Sequence, residues 1–496
     1  METASQIAAA VADGGLQAAD VLDLVEARHA ATHARLNALV QPRFAAARID
    51  ASGPGRMSGP LAGVPVSVKE CFPVAGLTTT LGIMARRHVR DAADATLVAR
   101  LKAAGAVVVG KANVPQAMFL HETTNPVWGR TSHPVDPDRG PGGSSGGDAA
   151  LVAAGVVPLA IGTDLAGSLR QPAHACGIAA LMPRSAVLGE GGAVDTLPHL
   201  EAVRPRAGFL ARWTDDLRLA LEALGRVEAS SRMVSGAAGL RVGWWDHAGP
   251  IPPSPAIARA VGEAIRALEL AGADVVRLDG GIAAEAAWLH LGIVGADGGA
   301  DIRALFGGER PIEGVERLLR LARVPRAGRS LLAAAAWLTG RRIEAEALRR
   351  TGPCTPAGRR NLLTRRRDLA RRFAVAVAGL DAVVCPVSAL PALRHGTAAT
   401  LVLAAAPCLL ANLLDLPAGA VPIAVVRGDE QASRTASRDP VLRAAADCDR
   451  GSAGLPVGVQ IVACPGSDEH TILGVMATLE AALRQPPRRA DTTRAI

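Results

Sequence analysis

Three features of the sequence predict an α/β fold, a sheet with helices on both of its faces. Apolar runs of strand length recur along the chain, at Leu61–Val68, Ala106–Val109 and Val156–Ile161. They are continuous rather than alternating, which is the pattern of strands buried on both sides. Segments of helical periodicity separate them, at Ala95–Ala104 and from about Gly147 to Ala154. Strands that alternate with helices close into a covered sheet.

The elements follow in chain order. Residues 4–48 place Val21, Leu22, Leu24 and Val25, then Leu36, Leu39 and Val40, at helical spacing and are expected to form two helices lying on the body, a region of about 1–50. From 51 to 484 the alternation runs on. The Pro/Asp/Gly-rich loop His133–Gly143 precedes the 147–154 helix, and Val156–Ile161 ends at Gly162-Thr163-Asp164. The second half predicts a strand at Leu240–Trp245, a helix at Pro255–Leu270 and a strand at Ala273–Leu278. A helical, arginine-rich region follows at about 300–375. Strands are then expected at Ala382–Cys385, Ala420–Val426 and Leu455–Val462, with a last helix at Asp468–Leu483. The polar insert at about 427–454 and the tail 485–496 are expected to be mobile. No repeat and no clean linker divides the chain.

Composition narrows the function. Of 496 residues, 49% are hydrophobic and 2% aromatic, with no tyrosine, so the core is built from Ala, Val and Leu and is ample for a large domain. The net charge of +8 invites an anionic partner, but the arginines are dispersed and stacking aromatics are scarce, so nucleic acid is not expected. Seven cysteines, odd in number and without a C-x-x-C, suggest neither disulfides nor zinc and fit a reducing compartment. The N-terminal residues lack the pattern of a signal peptide, and Ala398–Ala411 is shorter than a bilayer span and interrupted by Pro407. A cytoplasmic protein is the expectation. Among eleven histidines no H-E-x-x-H spacing occurs, so neither metal nor cofactor is expected.

Only three lysines, Lys69, Lys102 and Lys111, stand among 54 basic residues. Arginine carries charge but cannot lose its proton near neutral pH, whereas a lysine can serve as a base. Lys69 ends the apolar run Leu61–Val68 and precedes two serine-containing loops. The first, Gly142-Gly143-Ser144-Ser145-Gly146-Gly147, lacks the Gly-Lys-Ser/Thr ending of a phosphate loop. Its Gly142-x-Ser144-x-Gly146 spacing also fits a nucleophile elbow, but Pro134, Asp136, Pro137, Asp138 and Pro141 stand where that elbow needs a strand. In isolation it reads as a serine-capped glycine turn. The second loop, Gly162-Thr163-Asp164-Leu165-Ala166-Gly167-Ser168, follows a buried strand, where α/β sheets place their sites.

Lys69, the Gly142–Gly147 loop and the Gly162–Ser168 loop, with 24 residues from Ser144 to Ser168, together resemble the amidase signature family. The resemblance runs from Leu36-Asn37-Ala38 to Gly454-Leu455-Pro456-Val457-Gly458-Val459-Gln460. It is closest to the fatty acid amide hydrolase-like branch at Lys69-Glu70-Cys71-Phe72 and at Asn113-Val114-Pro115-Gln116-Ala117-Met118-Phe119. It implies a single large domain with a central mixed sheet. It also implies a triad of Lys69, Ser144 in a cis peptide linkage and Ser168 as nucleophile, with Gly143, Ser145, Thr163 and Asp164 in support. The backbone N–H groups of Leu165, Ala166, Gly167 and Ser168 are then the expected oxyanion hole, and Met118, Phe119 and Ser144 the expected substrate contacts. The chemistry is coherent: a neutral buried lysine can draw a proton from Ser168 through the Ser144 hydroxyl. Three departures weaken substrate inference, one of them Glu70 where aspartate is commoner, although the fatty-amide branch accepts glutamate. Ala166 replaces a usual glycine and would narrow the site with its methyl, and Met182-Pro183-Arg184 stands for Lys-Pro-Thr.

The expected reaction is hydrolysis of a linear, small-molecule amide, including acyl or fatty amides, through an acyl-enzyme. The alternatives are an amidotransferase or acyltransferase using the same triad, and a silent binding protein of the same fold. Arg317, Arg320 and Arg323 recur at helical spacing beside Leu318, Leu319 and Leu321, and Leu331–Leu338 follows with Trp337. About 312–340 can therefore serve either as a peripheral membrane contact or as a solvated face. A homodimer is compatible with the resemblance.

Overall fold

The computed structural model describes residues 2–52, 58–225, 236–431 and 434–484; the tail expected to be mobile, 485–496, lies outside them. Its centre is one sheet of eleven strands. In chain order the strands are β1 (Leu39–Pro42), β2 (Pro65–Lys69), β3 (Val107–Ala112), the short pair β4 (Thr124–Asn125) and β5 (Gly129–Arg130), β6 (Leu159–Asp164), β7 (Ala179–Met182) and β8 (Arg206–Ala211). β9 (Arg241–Trp244), β10 (Asp274–Arg277), β11 (Ala382–Pro386), β12 (Ala418–Val425) and β13 (Pro456–Ala463) complete the set. Across the sheet the order is β1-β3-β2-β6-β8-β7-β12-β13-β11-β9-β10, and β4 and β5 form a separate hairpin.

The sheet is mixed. β2 lies parallel to both β3 and β6, and β9 is parallel to β10 and β11, while the β8, β7, β12 and β13 pairings are antiparallel. Every residue of β2, β3 and β6 is buried. Successive side chains of a strand point to opposite faces, so these strands are covered on both, as expected of an α/β sheet. Their β-branched residues, Val66 and Val68, Val107, Val108 and Val109, and Ile161, suit that setting. The parallel β2–β6 register pairs Val68 with Ile161. Lys69 and the Thr163-Asp164 end of β6 therefore emerge at the same edge of the sheet.

Several boundaries differ from expectation, each for a physical reason. The residues Leu39 and Val40 continue no helix: the helix Ala18–Leu36 stops at Asn37, which is left-handed at φ 48°, and β1 follows, antiparallel to β3. Sheet pairing overrides the apparent helical spacing there. β7 (Ala-Ala-Leu-Met) and β8 (Arg-Ala-Gly-Phe-Leu-Ala) carry no β-branched residue and give no strand signal; pairing with each other and with β6 and β12 makes them strands. The insert expected to be mobile contains the helix Pro440–Asp449, capped by the Asp439 side chain on Val441 N–H. Ion pairs Arg259–Glu430 and Arg434–Asp449 tie its two ends down.

The arginine-rich region is wholly helical in outline, with helices Glu313–Ala322, Arg326–Leu338, Arg342–Arg350 and Pro356–Ala376. On the first, Val315 and Leu319 are buried, while Arg317, Arg320 and Arg323 face out. On the second the pattern reverses: Leu331, Leu332, Trp337 and Leu338 are exposed, the first and last by 74% and 78%. No helix among the described residues is long and apolar enough to cross a membrane.

Candidate active site

β2 delivers Lys69 fully buried to the edge of the sheet. Its side-chain nitrogen Nζ lies 2.8 Å from Ser144 Oγ, 2.8 Å from Thr163 Oγ1 and 3.1 Å from the Thr163 carbonyl oxygen. Burial lowers its pKa, opposed in part by Cys71, Asp148 and Asp164. A neutral amine has two N–H donors and one lone pair. The two Thr163 oxygens can take the donors, which leaves the lone pair for the Ser144 hydroxyl proton.

Ser144 is held by a loop that only glycine permits. The Gly143–Ser144 peptide is cis. Gly143 N–H donates to Gln171 Oε1 at 3.0 Å, and a β-carbon on Gly143 would sit 2.8 Å from the Leu120 carbonyl. Ser145 opens the helix Gly146–Ala153, and its N–H donates to the Ser168 carbonyl at 3.1 Å, joining the two serine loops. At Gly162 a β-carbon would meet Ser145 Oγ at 2.5 Å, so the glycine of β6 lets the first loop rest on the strand.

The second loop turns around Asp164. Burial opposes its ionisation, but the Arg170 guanidinium, with Nε and Nη2 each 3.0 Å from a carboxylate oxygen, outweighs it and holds the carboxyl far below the usual range. Asn412 Nδ2 and Gly167 N–H donate to the same carboxylate at 2.9 and 2.7 Å. Arg170 is satisfied further by the Cys408 carbonyl, Gln460 and Asn412. The result is a rigid, fully buried ion pair under the turn.

This arrangement changes one expectation. The Gly167 N–H is spent on Asp164, so of the four expected oxyanion donors Leu165, Ala166 and Ser168 remain. The Ala166 methyl sits against Ala287, Ala406 and Leu409, a small apolar nest that explains how alanine fits where glycine is usual. Ser168 is 8% exposed, and among the described residues its hydroxyl makes no hydrogen bond.

Ser168 borders a cavity of about 480 Å³. Met118 and Phe119 also line it, on and after a short 3-10 turn, Gln116–Met118. The arginine-rich region supplies further walls, among them Leu318, Leu319, Ile343, Ala347 and Leu348, with Ile302 and Leu403. The basic helix Glu313–Ala322 thus turns Leu318, Leu319 and Leu321 to the cavity; Arg317, though exposed, borders it too, and Arg320 faces out.

The other two lysines are placed elsewhere. Lys111 binds the Thr78 carbonyl and Thr79 Oγ1 and lies 3.4 Å from Asp91, while Lys102 pairs with Asp94 at the surface. Three residues at or beside the site carry no sequence signal. Asp148, buried with Oδ1 accepting from Ser67 Oγ at 2.7 Å and Oδ2 unpaired, lies near Lys69, and burial pushes its carboxyl up to about 7. His121 and His290 border the cavity, and burial lowers each to about 4. His121 stands just past the Met118-Phe119 motif, which does not itself mark it.

Comparison with known proteins agrees with this geometry. The sequence model of the amidase family matches residues 20–472. Fatty-acid amide hydrolase 1 of Sus scrofa is 33% identical over 468 residues, 86% of this chain and 77% of that protein. A glutamyl-tRNA(Gln) amidotransferase subunit of Deinococcus radiodurans is 31% identical over 505 residues, 97% of each. The solved structure of a fatty acid amide hydrolase superposes with a TM-score of 0.82 at 21% identity, over 97% of this chain and 84% of that one, a likeness of fold. The chain belongs to the amidase signature family and is an enzyme of its amide-hydrolysing, carbon–nitrogen-cleaving kind.

Proposed function

We propose that this enzyme hydrolyses linear amides with a long apolar acyl group, through an acyl-enzyme on Ser168. The observation that carries the reading is the largely apolar cavity lined by Ser168 together with residues of the cap helices. In the reaction, neutral Lys69 accepts the Ser144 proton as Ser144 accepts that of Ser168, and Ser168 Oγ adds to the amide carbonyl. The N–H groups of Ala166 and Ser168, with Leu165, meet the developing oxyanion, each such donor being worth about 3–4 kcal/mol. The C–N bond then breaks as the proton returns from Lys69 through Ser144 to the leaving nitrogen. Water, activated along the same route, releases the acid and restores Ser168.

The exposed Leu331, Leu332, Trp337 and Leu338, flanked by Arg326 and Arg342, give the cap an apolar patch with a basic rim, suited to the periphery of an anionic membrane. The seven cysteines are all free, which fits a reducing, cytoplasmic setting. A second reading, transfer of the acyl group to an amine acceptor, draws on the full-length similarity to one component of an amidotransferase.

Labelling with a serine-reactive fluorophosphonate, mapped by mass spectrometry, tests the nucleophile: modification of Ser168 is expected, and of Ser144 is not. Turnover of a matched series of acyl amides tests the substrate class. A preference for short or small aromatic acyl groups would overturn it, and ammonia released from a primary amide by the purified chain alone would count against a partner-dependent transferase.

A further inference from the structure

Three carbonyl oxygens of the Leu165–Ser168 loop are held from behind. Leu165 O accepts from His290 Nε2 at 2.9 Å. Gly167 O accepts from Gln171 N–H at 2.7 Å, and Ser168 O from Ser145 N–H at 3.1 Å. A trans peptide points its C=O and N–H in opposite directions. Holding Leu165 O therefore fixes the direction of the Ala166 N–H, which belongs to the same peptide unit. The next unit is pinned by a different route, with Gly167 N–H on Asp164. Two units depend on side chains from distant helices: the 164–165 unit, whose Asp164 carbonyl accepts from Asn412 Nδ2 at 3.2 Å, and the 165–166 unit, held by His290.

That side chain is an anomaly on its own helix. His290 is 1% exposed on the helix Gly281–Val294, where Ala283, Ala286, Ala287 and Leu289 are also buried. Its Nδ1 is buried without a partner among the described residues. An unpaired buried acceptor costs about 1–3 kcal/mol, which an apolar residue of similar size would avoid. What the imidazole gains in return is the single bond to Leu165 O. Facing a carbonyl, Nε2 must carry the ring proton, so the ring is a neutral donor with one task.

We propose that His290 is a positioning residue of the oxyanion hole, aiming the Ala166 N–H at the substrate oxygen through the Leu165 carbonyl. The helix Gly281–Val294 thereby becomes part of the catalytic apparatus: Ala287 supports the Ala166 methyl, and His290 sets the peptide plane beside it. The proposal rests on the reading of Ser168 as the nucleophile.

The test compares His290→Leu with His290→Gln, whose amide nitrogen can take the place of Nε2, on a single amide substrate and on an acyl trifluoromethyl ketone that forms a tetrahedral adduct. In the leucine variant kcat is expected to fall by about 10- to 100-fold with KM changed by no more than about twofold, and ketone affinity to fall by a similar factor to kcat. The glutamine variant recovers most of both. Unchanged kcat, or a fall in kcat with no loss of ketone affinity, overturns the proposal, as does a glutamine variant no better than leucine. Should His290→Leu not fold, His290→Asn, too short to reach Leu165 O, takes its place. Ser168→Ala run in parallel separates the two ideas. Retained turnover in that variant sinks the nucleophile, whereas an inactive Ser168→Ala beside a normal His290→Leu sinks only the positioning role.

Discussion

The sheet edge behind Ser168 and the cap that walls the cavity are built on opposite terms. At the sheet edge, polar groups are buried and almost every one is bonded: Lys69 to Ser144 and Thr163, Asp164 to Arg170, Asn412 and Gly167. At the cap, Leu318, Leu319, Ala347 and Leu348 offer surface without direction, and the outer helix leaves Leu331 and Leu338 in the open. The first fixes atoms to within hydrogen-bond tolerance, as bond-making requires. The second fixes only a shape, and so can choose a substrate by length and apolarity without joining the chemistry.

The largest effects should therefore come from the sheet edge. Lys69→Met and Lys69→Arg are both expected to lower kcat by at least ~10³-fold in folded protein, because neither side chain can accept a proton. Arginine is the sharper test, since it retains the charge that this chain supplies by arginine almost everywhere else. An active Lys69→Arg would end the general-base role. In the parent enzyme, activity should be lost on the acid side as the amine, its pKa lowered by burial, takes up its proton.

Asp148 gives the next effect, this time on stability. Its carboxyl is pushed up to about 7 by burial, so the folded state keeps a proton that the unfolded chain gives up near pH 4. The folded state binds more protons across that window. The stability from this group is complete at low pH and declines as pH rises from about 4 to about 7, by a few kcal/mol at roughly 1.4 kcal/mol per unit. Asp148→Asn, neutral throughout and still able to accept from Ser67, should flatten that decline in thermal unfolding measured across the range. Parallel profiles for parent and variant would show that Asp148 is already ionised in the fold.

The same contrast decides what the sequence could disclose. The sheet edge was legible because its needs are strict: a titratable amine after a buried strand, glycines where a β-carbon would strike backbone, and two serines at a fixed separation. Val-rich β2, β3 and β6 announced themselves. β7 and β8 did not, since Ala, Leu and Gly become strand only through their neighbours, and β1 was hidden in a helix-like spacing. His290 lay 122 residues beyond Ser168 with nothing local to mark it. Gly167 was read as an oxyanion donor because nothing in the order of residues reveals that Asp164 folds back to claim its N–H. In the cap, arginines at helical spacing drew attention to Glu313–Ala322, yet the exposed apolar surface belongs to the following helix.

On the cap side the effects should be smaller and confined to substrate choice. Ala347 faces the cavity from the helix Arg342–Arg350. Ala347→Trp is expected to raise KM for a long acyl amide by about 10-fold or more through lost apolar volume, while a short acyl amide changes by no more than about twofold. Equal effects on both substrates would mean that the cavity does not hold the acyl group, and the division between sheet edge and cap would fail.

The smallest effect concerns the outer surface. Leu331 and Leu338 are seven residues apart, close to two helical turns, and so share a face. Trp337 extends the patch, and Arg326 and Arg342 stand near its ends. An apolar stripe beside cations binds an anionic interface by burying side chains and by attraction to headgroups together. Each leucine contributes about 1.5–3 kcal/mol when fully buried, and less when only part of it enters the lipid. Leu331→Ser with Leu338→Ser should therefore weaken sedimentation with phosphatidylserine-containing vesicles by about 10-fold. Turnover of a water-soluble amide should stay the same, because neither residue reaches the cavity. Added salt should weaken the parent's binding without abolishing it, since the arginine attraction is screened and the apolar part is not. Binding that vanishes in salt and ignores the leucine changes would assign the surface to charge alone. The cap would then be a lid over the acyl cavity with no second task at the membrane.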